Sequence, residues 1–275
     1  MFKSILIPIE GSDFSRAALQ FALNVARDQN AQLSLLSIVD KPDIKKSLGP
    51  VPLGGMYYAL QAEEKKLTTA EQKARRLVDE SAEICQKAGV HCELIVREGE
   101  PVAVIADEAK YHDLTMLGLR NLFKYGAKED DKTLENFLSQ AEQPIIAVPK
   151  TYNSIDNVLM TYDGSLPSAR AIHSFIQIGL WNNRHVHLLN VNDNKEHADI
   201  LLDRMGHLLE VHKIAFDKVH LYGQPNERIL GYAVDKKMDL IVLGAHGDAK
   251  ISRLFFGSTT REILDNVELP LFIDH

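Results

Sequence analysis

Two parts of this chain can be laid over one another. Glu10-Gly11-Ser12 matches Asp163-Gly164-Ser165, and Gly99-Glu100-Pro101 matches Gly223-Gln224-Pro225. Late in each half the interval becomes constant. Asp113 pairs with Asp239, and 239 minus 113 is 126; the same interval separates Gly118 from Gly244 and Pro144 from Pro270. A chain that repeats its plan this way is a duplicated domain. Its 275 residues, 45% apolar and 25% charged, suffice for two ordinary cores. The short polar stretch from Lys150 to Asn153 separates the copies, so the domains are expected at 1–150 and 154–275.

Each copy alternates short apolar runs with amphipathic stretches. In the first, apolar runs at Ile5 to Ile9, Leu33 to Val39, Cys92 to Val96, Leu114 to Leu117 and Ile145 to Val148 read as strands. Helical stretches carry Ala18, Phe21, Ala22 and Val25, then span Tyr57 to Lys87, Val102 to Lys110 and Thr133 to Gln140. Lys41 to Gly55, with three prolines and three glycines, reads as loop. The second copy has strands at Val158 to Tyr162, Val186 to Val191, Val219 to Tyr222, Leu240 to Leu243 and Leu271 to Ile273. Its helices end near Leu180, span His197 to His212 and Ile229 to Lys236, and run from Thr260 to Asn266. Strands alternating with helices at this spacing make an α/β fold with parallel sheets covered on both faces.

The richest stretch is Asp239 to Thr260. After the strand come Gly244, two residues, Gly247, nine residues, Gly257 and Ser258, then a helix. Glycines let backbone N–H groups approach an anion, and a helix start adds free donors and partial positive charge. Ser258 and Thr259 add hydroxyls that can cap the helix. The intervals fit neither a Walker loop nor a dinucleotide fingerprint. Glycines alone could merely punctuate a βα loop; the complete spacing between strand and helix favours a phosphate cradle.

This spacing resembles the glycine motif of the universal stress protein family, and the resemblance covers nearly the whole chain twice. It implies two tandem, doubly wound, five-stranded parallel sheets of order 3-2-1-4-5, like those of the adenine nucleotide alpha hydrolases. It also implies that the halves pair through strand five as an intramolecular pseudo-dimer, and leaves further homodimerisation open. The family's contacts, transferred residue by residue, fall on Thr161, Tyr162 and Asp163 beside the ribose. Val191 then lies beside the adenine. Leu243, Gly244, His246, Gly247, Gly257, Ser258, Thr259 and Thr260 surround the phosphates. Lys250 and Arg253 could reach outer phosphates. Asp163 could equally be a helix cap or turn residue, and Val191 plain core. The implied ligand is ATP, or AMP or ADP, with Mg²⁺ alongside if phosphates are held.

The first copy departs from the motif. Gly118 survives, but Gly247 becomes Asn121, Gly257 becomes Asp131 and Ser258 becomes Lys132, with Glu129 and Asp130 adjacent. A carboxylate where a phosphate should sit repels it by about 1 kcal/mol at ~4 Å even in water. The first copy is therefore expected not to bind a nucleotide in the family's way.

A net charge of −7 excludes a nucleic-acid polymer held by its phosphates. The opening MFKSILIPIE is too soon acidic for a signal peptide, and no apolar run is long enough to span a membrane, so a cytoplasmic protein is expected. Cys85 and Cys92 read as a buried thiol pair rather than a disulfide framework. His185 and His187 share a strand face, and His220 could lie nearby, but no carboxylate is spaced to complete a metal site, so none is expected. No catalytic order of Ser, His and Asp stands out. Three readings follow: a nucleotide-binding stress or regulatory module, a slow Mg²⁺-dependent ATPase or phosphotransferase, and an interaction protein with structural glycines.

Overall fold

A computed structural model describes residues 2–49, 55–120, 133–152, 154–180, 182–245 and 258–274. The chain divides into two compact units. One comprises residues 3–141; the other comprises residues 142–275 with the first two residues.

In the first unit the elements are β1 (Ser4–Pro8), α1 (Asp13–Gln29), β2 (Gln32–Val39), α2 (Lys41–Lys46), α3 (Met56–Lys87), β3 (Cys92–Glu98), α4 (Pro101–Ala109), β4 (Leu114–Gly118) and α5 (Thr133–Leu138). The second contains β5 (Ile145–Val148), β6 (Asn157–Thr161), α6 (Leu166–Ile178), β7 (His185–Val191), α7 (Lys195–Val211), β8 (Phe216–Leu221), α8 (Pro225–Asp235), β9 (Leu240–Gly244), α9 (Ser258–Asn266) and β10 (Leu271–Asp274). The first unit's strands lie in the order β3-β2-β1-β4, all parallel. In the second the order is β8-β7-β6-β9-β10, again parallel, which is the expected 3-2-1-4-5. There β5 adds to β10 in antiparallel register, with Phe272 opposite Ile146.

The burial pattern explains this arrangement. Strands β4 and β10 are buried at every position, as β1 and β9 are at all but one, which is what parallel strands covered on both faces require. The edge strands β3 and β8 are polar and half exposed. Helix α3 is long, but only Ala74, Val78, Ser81 and Cys85 are buried, a 4-3-4 stripe over its second half. Burial, and then the neighbouring Cys92, push the Cys85 thiol up to about 12, so it is inert as a nucleophile.

The duplication extends to hydrogen bonds. Asp113 Oδ2 accepts from the backbone N–H groups of Lys3 and Ser4 at 2.7 and 3.0 Å. Its counterpart Asp239 accepts from those of Asp156 and Asn157 at 3.0 and 2.8 Å. Each aspartate pins the start of its copy's first strand, β1 or β6, to the start of its fourth, β4 or β9. Ser12 caps α1 by accepting from Ser15 N–H, and Ser165 caps α6 by accepting from Ser168 N–H.

Several boundaries differ from expectation: β8 begins at Phe216 rather than Val219, and α8 at Pro225 rather than Ile229. Asp40 caps a short helix, α2, at the start of the stretch read as loop, with Pro42 in its first turn where the missing N–H costs nothing. Helix α9 begins at Ser258 rather than Thr260, so Ser258 and Thr259 belong to its first turn instead of capping it.

Candidate functional site

In the second unit β6 lies between β7 and β9, so the chain winds to opposite sides of β6 and leaves a crevice at the strands' carboxyl ends. Thr161 ends β6, Val191 ends β7, and Leu243 and Gly244 end β9. A cavity of about 150 Å³ opens there, lined by Thr161, Tyr162, Asp163, Val191, Leu243, Gly244, Thr259 and Thr260. These eight were all chosen from the sequence. Ser258 begins the helix that brings Thr259 and Thr260 to the cavity. His246, Gly247, Gly257, Lys250 and Arg253 lie outside the described residues, as do Asn121, Asp131 and Lys132 of the first unit.

Gly244 sets the spacing of this crevice. A Cβ there would lie 2.3 Å from Ser168 N and 2.4 Å from Pro167 C, both backbone atoms of the first turn of α6. Only glycine lets the end of β9 approach that turn. Gly118 has the same relation to α1, where a Cβ would lie 2.6 Å from Phe14 Cβ. This accounts for its survival in the first unit although the rest of the motif is lost there: helix–strand packing demands it, whatever binds.

Asp163 lines the cavity and also fills the turn role considered for it. Its Oδ1 accepts from Ser165 N–H at 2.9 Å, closing the turn into α6, and from the Ser168 hydroxyl at 2.7 Å. Both bonds fall on Oδ1. Burial acts to raise this carboxyl, yet the hydrogen bonds from Ser165 and Ser168 together outweigh it and leave it below its ordinary value. It is therefore a carboxylate at neutral pH. Glu10, its counterpart, behaves in the opposite way: burial raises it above the ordinary value despite its bonds to Ser12. The Thr161 hydroxyl is committed to Val242 O at 2.9 Å, and Tyr162 O accepts from the Asn190 amide at 2.6 Å.

Four lining residues escaped the sequence reading: Ser168, Leu189, Pro225 and Ile229. Ser168 had a signal, since Ser165 and Ser168 repeat Ser12 and Ser15. Pro225 and Ile229 belong to α8, whose approach to the crevice depends on how that helix packs over β7.

A larger cavity of about 610 Å³ lies in the first unit, between Val39, Asp40, α2 and Lys65 to Lys73 of α3. Size alone would favour it, but it presents no strand-end glycine, the one helix start on its wall is already capped by the acidic Asp40, and its walls mix apolar groups with both charge signs. The chemistry points to the smaller crevice.

The histidine pattern also needs revision. The register of β7 on β8 sets Asp217 opposite His187, and Asp217 Oδ2 lies 3.1 Å from His185 Nε2. A carboxylate is therefore at hand where the spacing showed none. His220 is elsewhere: it pairs with Asn190 in the register, and its Nε2 lies 2.7 Å from Asn192 O. No helix among the described residues is long and apolar enough to cross a membrane.

Comparison with known proteins gives a consistent picture. Residues 1–148 and 154–275 each match the universal stress protein family. A universal stress protein of Synechocystis sp. is 25% identical, the alignment covering 98% of both chains. One from Bacillus subtilis is 28% identical over 47% of this chain and 85% of its own. The crystal structure of a universal stress protein from Archaeoglobus fulgidus superposes with a TM-score of 0.75 at 20% identity, covering 98% of this chain and 97% of that one. At that identity the likeness speaks to the fold.

Proposed function

Because the chain belongs to the universal stress protein family in both of its halves, we propose that it holds one adenine nucleotide, in the second half only, as a cytoplasmic stress or regulatory module. The observation that carries this reading is the crevice at the crossover of β6 and β9, where eight residues that the family resemblance assigns to the ligand converge.

Each residue then has a physical role. Asp163 is a carboxylate whose Oδ1 is engaged, so Oδ2 is the oxygen to accept from ribose hydroxyls. Backbone groups at Val191 meet the base edge. Thr259 and Thr260 sit in the first turn of α9, where free N–H groups and the helix dipole favour phosphate. On the resemblance, His246, Gly247, Gly257 and Ser258 would complete the cradle. The described cavity, about 150 Å³, is smaller than the ~300 Å³ at which sites for whole small molecules begin. It suits the nucleoside end. ATP is preferred to AMP or ADP on the resemblance, and Mg²⁺ would accompany its phosphates, with Ser258, Thr259 and Asp163 as the residue types that could offer it oxygen. Among the described lining residues the carboxylate is Asp163, and its hydrogen bonds hold it below its ordinary value, which makes it a weak base for activating water and favours binding over turnover. The pseudo-dimer of the two copies is drawn from the resemblance alone.

Equilibrium dialysis with labelled ATP tests this reading. One site per chain is expected, abolished when Gly257→Asp and Ser258→Lys write the first half's residues into the second. Two sites per chain, or unchanged binding by the folded double variant, would overturn it.

A further inference from the structure

We propose that His185, His187 and Asp217 form a binding site for a divalent transition-metal ion, zinc by preference, at the amino-terminal edge of the second unit's sheet. His185 and His187 are two apart on β7, so both imidazoles project from one face. The parallel register brings Asp217 of β8 opposite His187 on that same face. The histidine ring centroids lie 4.7 Å apart, and His185 Nε2 lies 3.1 Å from Asp217 Oδ2. One ligand atom from each of the three residues falls within 4.8 Å of the others. Zinc bonds of ~2.1 Å in a tetrahedron put neighbouring ligand atoms about 3.4 Å apart. Closing to that spacing takes small rotations. The side chains of His185 and Asp217, 50% and 62% exposed, have the freedom to make them.

A second feature separates this cluster from a chance ion pair. His187 Nδ1 lies 2.8 Å from the Tyr232 hydroxyl, contributed by α8. With the Nδ1 proton on the Tyr232 oxygen, the Nε2 lone pair is left for the ion and the ring is held in place. Outer hydrogen bonds of this kind orient histidine ligands at metal sites. Two imidazoles and one carboxylate suit zinc, copper or nickel and not Mg²⁺ or Ca²⁺, which take oxygen ligands. Lys236, near His187, is the opposing charge and moderates the affinity. The site is open on its solvent side, so a water would fill the fourth position. It is separate from the nucleotide crevice: Val191 lies four residues further along β7 than His187, about 13 Å away at ~3.3 Å per residue.

The test is calorimetric titration of the tag-free full chain with zinc chloride, checked by the visible absorption of the Co²⁺ form. One zinc per chain is expected. Because the sequence contains 11 histidines, the variants decide the assignment. Asp217→Asn and His185→Ala should each weaken zinc by at least about tenfold. Tyr232→Phe, which keeps all three ligands, should weaken it by about 10-fold, the lower end for loss of an outer partner. Both ligand residues are exposed, so thermal unfolding without metal should be unchanged. Zinc affinity unaltered in the His185→Ala, Asp217→Asn double variant, or no zinc uptake by the wild type, would overturn the proposal.

Discussion

Replacing Gly244 with alanine tests whether the crevice is built by backbone contact. The added methyl would lie 2.3 Å from Ser168 N, 2.4 Å from Pro167 C and 2.6 Å from Ser168 Cα. Unstrained carbon contacts are about 3.5–4.0 Å, so β9 and α6 would have to part by roughly 1 Å. None of the three atoms belongs to a flexible side-chain end that could swing away. Overpacking of this kind costs about 1–3 kcal/mol, and more when the neighbour cannot move. Exchanging glycine for alanine in a strand returns about 0.5–1 kcal/mol. The net loss is about 2 kcal/mol, which for a lobe of this size lowers Tm by about 6–10 °C. Scanning calorimetry is the assay, since it can resolve two lobes that melt separately. Gly118→Ala, crowding Phe14, should produce the corresponding loss in the first lobe. Gly231, where an added Cβ meets nothing within 4 Å, is the control. It lies inside α8, and alanine there should stabilise by about 0.5–1 kcal/mol. A Gly244→Ala protein within about 0.5 kcal/mol of wild type would refute this packing argument.

Other perturbations have equally definite outcomes. Asp239→Ala leaves the N–H groups of Asp156 and Asn157 without their shared acceptor and should cost about 1–2 kcal/mol in urea unfolding. The two equivalent acids should give opposite pH dependences of Tm. Asp163, below its ordinary 3.8 when folded, contributes stability that is present above that pH and lost as pH falls through its folded value. Asp163→Asn should therefore flatten the acid limb below pH 3.8. Glu10, raised above 4.5, contributes stability that is present below that pH and lost as pH rises through its folded value, so Glu10→Gln should remove a decline just above pH 4.5. Identical acid limbs in wild type and Asp163→Asn would contradict the hydrogen-bond account of that carboxylate.

The residues made the parallel winding legible and the family resemblance supplied the strand order, but neither gave edges and registers. Parallel α/β winding is legible because buried strands such as Leu240–Gly244 carry unbroken apolar runs, and because the repeat supplies a second copy of each signal. Thr161, Val191 and Gly244 were placed because a crossover fixes where strand ends meet. Asp217 was missed because β8 is an edge strand. Asp217 and Lys218, after Phe216, break the apolar pattern, so the strand was read only from Val219 and attention fell on His220. Which residue faces His187 is a property of register between strands about 30 residues apart, and no local spacing encodes it. Helix α2 was hidden by the prolines and glycines after it, although Asp40 and Pro42 form a helix start. The early start of α9 went unread because Ser258, Thr259 and Thr260 are weak helix formers.

Native mass spectrometry of the purified chain, counting bound adenine nucleotide, is the most direct measure of the claim that the duplicated lobes have parted in function. A mass increment of one nucleotide per chain, absent from the Gly257→Asp, Ser258→Lys protein, is the result expected. Two increments per chain, or one that survives those substitutions, would mean that the first lobe's acidic residues do not exclude the ligand and that the second lobe's glycines do not hold it.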